Sequence, residues 1–251
     1  MALTAAAFLA AASRLPALPH ADLASLAPLV VLTPHPDDES LACGGLIALL
    51  RARALPVQVV AVSDGGASHP GSRAFPRERL AALRAGELRA AVAELGLEPG
   101  ALSFLGLPDG KVPRRCQAGF DEALRLLLER LGDALPPRTL LTSWRHDPHA
   151  DHVATYELAR AWQERLRPRP RLLEYIVWGW QMPSDAVIPG PAPAGFTVET
   201  RSVVELKRRA IERHGSQLGR MITDDPSGFR LEPAMVAGCV ERPELFLDLP
   251  P

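Results

Sequence analysis

The sequence predicts an α/β domain built on a mainly parallel sheet, and three observations predict it. Short, continuous apolar runs of strand length alternate with amphipathic helical stretches. The runs lack the polar alternation of a half-exposed strand, which suits parallel strands covered on both faces. Acidic and histidine-rich segments directly follow two of the runs, and ligands bind at the carboxyl ends of strands in such sheets. The expected architecture is a single-domain, Rossmann-like three-layer sandwich over residues 29–251, with residues 1–28 as a helical lead-in.

The strands are expected at Leu29–Thr33, Val57–Ser63, Leu102–Leu105, Thr139–Thr142 and Leu172–Trp178. Helices are expected between them. In Phe120–Leu131, Phe120, Ala123, Leu124, Leu127, Leu128 and Leu131 form a 3.6-residue stripe that stops at Gly132. Pro76–Leu95 carries Leu80, Leu83, Leu88, Ala91, Val92 and Leu95, with Gly96 as its stop. Ser202 and Glu205 read as a capping box for a helix reaching His214. The proline-rich segment Pro183–Pro193 reads as a loop that could cover a site.

Composition narrows the function classes. The chain has 251 residues, enough to bury a large core without staples. Lys plus Arg number 28 against 29 Asp plus Glu, so the basic surplus of a nucleic-acid binder is missing. No apolar run approaches the roughly 20 residues of a membrane span. Cys43, Cys116 and Cys239 are odd in number and form no Cys-x-x-Cys, which fits a reducing compartment. The Ala-rich start lacks the basic region of a signal peptide, so a packed helix and a cytoplasmic location are expected. The sequence leaves open whether the chain forms a homo-oligomer. No Gly-x-Gly-x-x-Gly follows the first strand and there is no P-loop, which weakens the common nucleotide-binding readings.

Two clusters carry chemistry. The first strand runs into Pro34-His35-Pro36-Asp37-Asp38-Glu39-Ser40. The two prolines stiffen that loop, and its adjacent carboxylates diverge in non-helical backbone. One could bind a metal while the other stays free as a base. The fourth strand runs into Ser143-Trp144-Arg145-His146-Asp147-Pro148-His149-Ala150-Asp151-His152. Histidine plus aspartate is a familiar ligand set for Zn²⁺, and three protein ligands with an open position mark a catalytic site. An acidic run can simply favour a helix N-terminus, but two such clusters at strand ends would meet on one edge of the sheet.

Elsewhere the residues are ambiguous. Arg84 and Glu87 fall on or beside the apolar stripe of their helix, where an unpaired charge is expensive. They pair with each other, or Arg84 snorkels to water, or it reaches the cleft to orient substrate or a catalytic loop. Asp109 is a turn residue or a contact for sugar hydroxyls. Trp178 and Trp180 either pack in the core or line the cleft as stacking platforms. Cys43 reads as a buried thiol, His69 as a substrate contact or a turn residue, and His214 as packing or capping its helix.

The motif His35-Pro36-Asp37-Asp38-Glu39 with His149-Ala150-Asp151-His152 resembles the PIG-L/LmbE-like zinc deacetylases, which remove acetyl groups from N-acetylglucosamine-type substrates. Ser63–His69, Arg84-x-x-Glu87, Leu107-Pro108-Asp109-Gly110 and His214-Gly215-Ser216-Gln217 are similar to that family as well. The resemblance implies His35, Asp38 and His152 as zinc ligands, Asp37 as general base, and His149, if protonated, as oxyanion stabiliser. It implies Asp151 as a partner that orients a histidine, with Arg84 and Asp109 as substrate-binding candidates. Fe²⁺ or Co²⁺ could also occupy such a ligand set. The expected partner is a small amino sugar conjugate. The rival readings are an amidase on another N-acyl molecule, such as a thiol conjugate or antibiotic-like amine, and a sugar-binding protein without turnover.

Overall fold

The computed structural model describes residues 2–131, 136–248 and 250. In chain order the elements are β1 (Leu3–Thr4), α1 (Ala5–Ala12), β2 (Leu29–Thr33), α2 (Asp38–Arg51), β3 (Val57–Ser63), α3 (Arg77–Glu94) and β4 (Leu102–Leu107). There follow α4 (Phe120–Leu131), β5 (Thr139–Ser143), α5 (Ala150–Arg165), β6 (Arg171–Tyr175), β7 (Val187–Ile188), β8 (Gly195–Val198), α6 (Val204–Glu212), α7 (Pro233–Glu241) and β9 (Glu244–Leu247). Short 3₁₀ turns occupy His20–Leu26 and Trp178–Gln181.

The central sheet has the order β4-β3-β2-β5-β6-β9-β8. The first five strands run parallel, and β9 and β8 add an antiparallel edge. From β2 the chain winds outward through β3 to β4, then returns to lay β5 against the other side of β2. The winding therefore reverses between β2 and β5, the crevice where open α/β sheets hold ligands.

Every residue of β2 and β5 is buried, and their side chains alternate between two cores. Val31 and Leu141 join Leu46, Leu50, Leu88, Val92 and Ile211, which carry α2, α3 and α6 on one face. Val30, Leu32 and Leu140 join Phe120, Leu124, Leu127, Leu158 and Trp162, which carry α4 and α5 on the other. So α2 leaves β2 over one face and α5 leaves β5 over the opposite face, and the loops at their N-termini face each other. Close approach of α2 needs a bare backbone at Gly45, because a Cβ there would lie 2.4 Å from Thr200 Cγ2.

The expected three-layer sandwich with a mainly parallel sheet is present. The stripe at Phe120–Leu131 is a helix over those same residues, while its expected stop, Gly132, lies outside the described residues. The 1–28 lead-in contains α1, which docks Phe8 against Trp144 at 5.2 Å between ring centroids, while β1 pairs antiparallel with β7. Among the described residues no helix is long and apolar enough to cross a membrane.

Three expectations need correction. The strand at Leu172–Trp178 ends at Tyr175, because the Asp147 carboxylate takes the Trp178 N–H and the chain turns into a 3₁₀ segment. Ser202 caps nothing: α6 starts at Val204, and Glu199 Oε1 instead accepts the N–H groups of Thr200 and Arg201. Pro183–Pro193 does not border the main cleft; its short strand β7 is held by β1 and it packs near α1.

Candidate active site and metal centre

The two loops at the β2/β5 crevice meet around three donor atoms. His35 Nδ1 lies 3.3 Å from Asp38 Oδ2, and His152 Nε2 lies 3.2 Å from that same oxygen. The two nitrogens are 3.3 Å apart. All three side chains are buried. In a tetrahedral site with bonds of about 2.05 Å, neighbouring ligand atoms sit about 3.4 Å apart. The triangle therefore has the size a divalent metal requires. Ring nitrogens of His35, His149 and His152 also come within 4.8 Å of one another, as do donor atoms of His35, Asp109 and Asp151. The His35, Asp38 and His152 set has that ligand spacing on all three edges, and its histidines are held from behind.

That support is specific. His35 Nε2 faces Asp151 Oδ2 at 3.2 Å and Asp109 Oδ1 at 3.3 Å. Asp151 is itself fixed by the N–H groups of Gly110 at 2.7 Å and Val112 at 3.1 Å. Asp109 Oδ2 accepts the Ala67 N–H at 2.8 Å. His152 Nδ1 is flanked by Asp147 Oδ1 at 3.4 Å. Carboxylates behind histidine ligands set their tautomer and raise their basicity. Burial opposes a charge on Asp38, yet His152 and His35 hold its carboxyl well below the usual carboxylate range.

Asp37 sits beside this triangle without joining it. Its backbone has φ 153°, a region side-chain-bearing residues rarely enter, and such strain gathers at functional sites. Two groups hold it there. Glu39 Oε2 accepts the Asp37 N–H at 3.1 Å, and the buried Arg84 donates to Asp37 Oδ2 at 3.0 Å. The same guanidinium donates to the carbonyls of Pro36 at 2.8 Å and Gly65 at 2.9 Å. Gly65 has φ +65°, and a Cβ there would stand 2.8 Å from Arg84 Nη1. Burial pushes the Asp37 carboxyl up to about 6, against the pull of Arg84. A carboxyl poised there can hold and release a proton near neutral pH.

His149 precedes α5 and borders the cleft. Its Nδ1 accepts the Asp151 N–H at 3.2 Å, so the ring proton resides on Nε2. Burial, then the positive charges of His35 and His152, lowers its pKa. The resemblance makes the oxyanion role of His149 conditional on protonation; with Nδ1 engaged by the Asp151 N–H, an Nε2–H donor is available without it.

The cleft holds about 560 Å³. Its floor contains His35, Asp37, Asp38, Arg84, Asp109 and His149, and its walls include Ser68, Trp178, Gln217, Ser227 and Phe229. Arg84 and Asp109, expected to bind substrate, are both engaged by the protein: Arg84 braces the Asp37 loop, and Asp109 braces His35. Arg84 does not pair with Glu87, which accepts both the N–H and the hydroxyl of Ser216. Trp178 reaches the cleft, whereas Trp180 lies under the Arg242 guanidinium. Cys43 is a buried free thiol. His214 is buried with Nε2 3.4 Å from Glu39 Oε1. His69 is buried outside the cleft lining.

Sequence reasoning gave no role to Asp147, although it stands in the second cluster, nor to Ser68 and Gln217 within the family-like blocks Ser63–His69 and His214–Gln217, and it missed Ser227 and Phe229. The wall residues are drawn from two distant loops, which Asp224 and Asp225 join by accepting N–H groups of Gly71, Arg73 and Ala74.

Residues 30–163, more than half of the chain and including both strand-end loops, match the PIG-L family, described as GlcNAc-PI de-N-acetylase. The chain belongs to the PIG-L family. This PIG-L protein is 28% identical over 201 residues to a Bacillus subtilis probable N-acetyl-alpha-D-glucosaminyl L-malate deacetylase 2, with 78% of this chain and 86% of that one covered. It is 28% identical over 252 aligned positions to the Nocardia farcinica 1D-myo-inositol 2-acetamido-2-deoxy-alpha-D-glucopyranoside deacetylase, covering 80% and 82% of the two chains. Among solved structures it superposes on the conserved protein TT1542 from Thermus thermophilus with TM-score 0.59 and 25% identity, covering 87% of this chain and 92% of that one.

Proposed function

We propose that this PIG-L protein is a zinc-dependent hydrolase that removes the acetyl group from an N-acetylglucosamine-type conjugate. The observation that carries the reading is the donor triangle of His35, Asp38 and His152 with the unligated, strained Asp37 beside it. A mere binding site has no use for a free carboxylate at that place. The family and its amino sugar deacetylases support the same reaction class.

His35, Asp38 and His152 would hold a zinc ion, which would supply Lewis acidity toward the acetamide carbonyl and acidify a water. Asp37 takes the proton of the attacking water and returns it to the departing amine, so one carboxyl serves as base and then acid. Arg84 keeps Asp37 aimed. The Nε2–H of His149 donates to the oxygen that becomes negative in the tetrahedral intermediate. Asp151 and Asp109 hold His35, and Asp147 holds His152. The free cysteines Cys43, Cys116 and Cys239 agree with a cytoplasmic setting.

The test is purification, metal analysis and an assay of acetate release from N-acetylglucosamine conjugates. Bound or activating zinc with acetate release, abolished in Asp37→Asn, is the expected result. Full activity of Asp37→Asn, or no response to zinc, overturns the mechanism. Release of a different acid from other N-acyl amines moves the substrate class to the amidase reading.

A further inference from the structure

Gln217 is buried at the wall of the cleft, in the loop after α6. Its carboxamide is clamped from one side. Nε2 donates to Ser216 Oγ at 2.8 Å and to Ser68 Oγ at 3.2 Å. Behind Ser216 lies Glu87, which accepts the Ser216 N–H at 2.7 Å and the Ser216 hydroxyl at 2.6 Å. These bonds decide which way the carboxamide faces. A serine hydroxyl has one proton to give. Ser216 gives its proton to Glu87, so its oxygen only accepts, and the NH₂ end of Gln217 must face it. Oε1 is thereby turned away, and among the described residues it has no hydrogen-bond partner. A buried acceptor left unmet is costly, and native structures rarely keep one without a reason.

The neighbouring wall suggests what meets it. Trp178 and Phe229 pack edge to face at 5.4 Å between ring centroids, and both border the cleft. The Phe229 N–H donates to the carbonyl of Ser68, whose hydroxyl contacts Gln217. A neutral acceptor near an aromatic pair suits a ring with an apolar face and hydroxyl donors. It does not suit a carboxylate or phosphate, which bring no proton.

We propose that Gln217 is a specificity-determining residue whose Oε1 accepts a hydrogen bond from one ring hydroxyl of the bound amino sugar. This rests on the deacetylase reading for the identity of the ligand. Glu87 and Ser216 act as positioning residues by locking the carboxamide in its accepting orientation.

The test titrates the zinc-loaded protein with methyl N-acetylglucosaminide and with analogues that each lack one ring hydroxyl. Affinity is read by NMR shifts and turnover by acetate release. One analogue is expected to lose roughly ten- to a hundredfold in affinity and kcat/KM, because it leaves Oε1 unpaired. The loss falls on KM and spares kcat. In Gln217→Met, which keeps the shape and removes the acceptor, the penalty for that analogue should shrink to about threefold or less, while zinc content is unchanged. If every analogue matches the parent within about twofold in the wild type, the proposal is overturned without recourse to any variant. An undiminished penalty in Gln217→Met overturns it too. Sugar binding without acetate release removes the deacetylase reading and leaves Gln217 to be judged on the affinities. No sugar binding at all removes both.

Discussion

Arg84 closes a 3.0 Å ion pair onto Asp37 with both side chains buried, 47 positions apart in sequence. Arg84→Met strands a buried carboxyl and frees two carbonyls. The expected cost is about 3–5 kcal/mol in chemical denaturation. Acetate release should fall, and the acid limb of its pH profile should move to higher pH, because the cation favouring ionised Asp37 is gone. Arg84→Lys should restore part of the charge effect without the fork that spans Pro36 and Gly65. An unmoved acid limb in Arg84→Met would sink the assignment of Asp37 as the base.

Asp151 lies 3.2 Å from His35 Nε2, so under the proposed function it would influence a bound metal through that ring. Asp151→Asn removes the charge behind His35 Nε2 and leaves one acceptor oxygen where two serve, Oδ2 for the Gly110 N–H and Oδ1 for the Val112 N–H. Metal affinity should drop by about 10–100-fold. Competition against a chelator measures it. Unchanged affinity would mean that Asp109 alone sets the ring.

Metal binding should be strongly pH-dependent. In the metal-free protein burial opposes charge on His152, but Asp38 and Asp147 outweigh it and raise its pKa from 6.5 to about 9. The sign follows from linkage. This raised histidine stabilises the metal-free fold fully below pH 6.5, and that contribution is lost as pH climbs through about 9. A metal must displace the same proton, so affinity should rise about tenfold per pH unit for each proton displaced. Calorimetry in buffers of different ionisation enthalpy counts those protons, and a count of zero near neutral pH contradicts the ligand set.

Glu244 offers a purely structural contrast. Its carboxylate accepts Lys207 Nζ at 2.7 Å, the Gly45 N–H at 2.6 Å and the Leu46 N–H at 2.7 Å, all buried. Glu244→Ala leaves a buried lysine without its counter-charge. The expected loss is about 3–5 kcal/mol in a denaturant titration. Zinc stoichiometry and kcat of the folded fraction should stay as in the wild type.

The sequence by itself determined the layered α/β architecture and the place of its chemistry. Continuous apolar runs such as Val57–Ser63 can be satisfied only inside a covered sheet. The stripe of Phe120–Leu131 allowed one helical face. His35, Asp37, Asp38, His149, Asp151 and His152 were legible because they follow strand runs directly, so chain connectivity delivers them to one sheet edge. Only the tertiary structure decided what those residues do to one another. That Arg84 serves the Asp37 loop and that Asp109 braces His35 depend on contacts between distant segments, whereas the local Asp151 N–H orients the His149 ring. The proline-rich segment misled because composition marks a loop but not the face on which it docks. The cleft walls were silent for the same reason: Ser68 and Gln217 lie 149 positions apart, and packing of two loops, not any local pattern, brings them to one hydrogen bond.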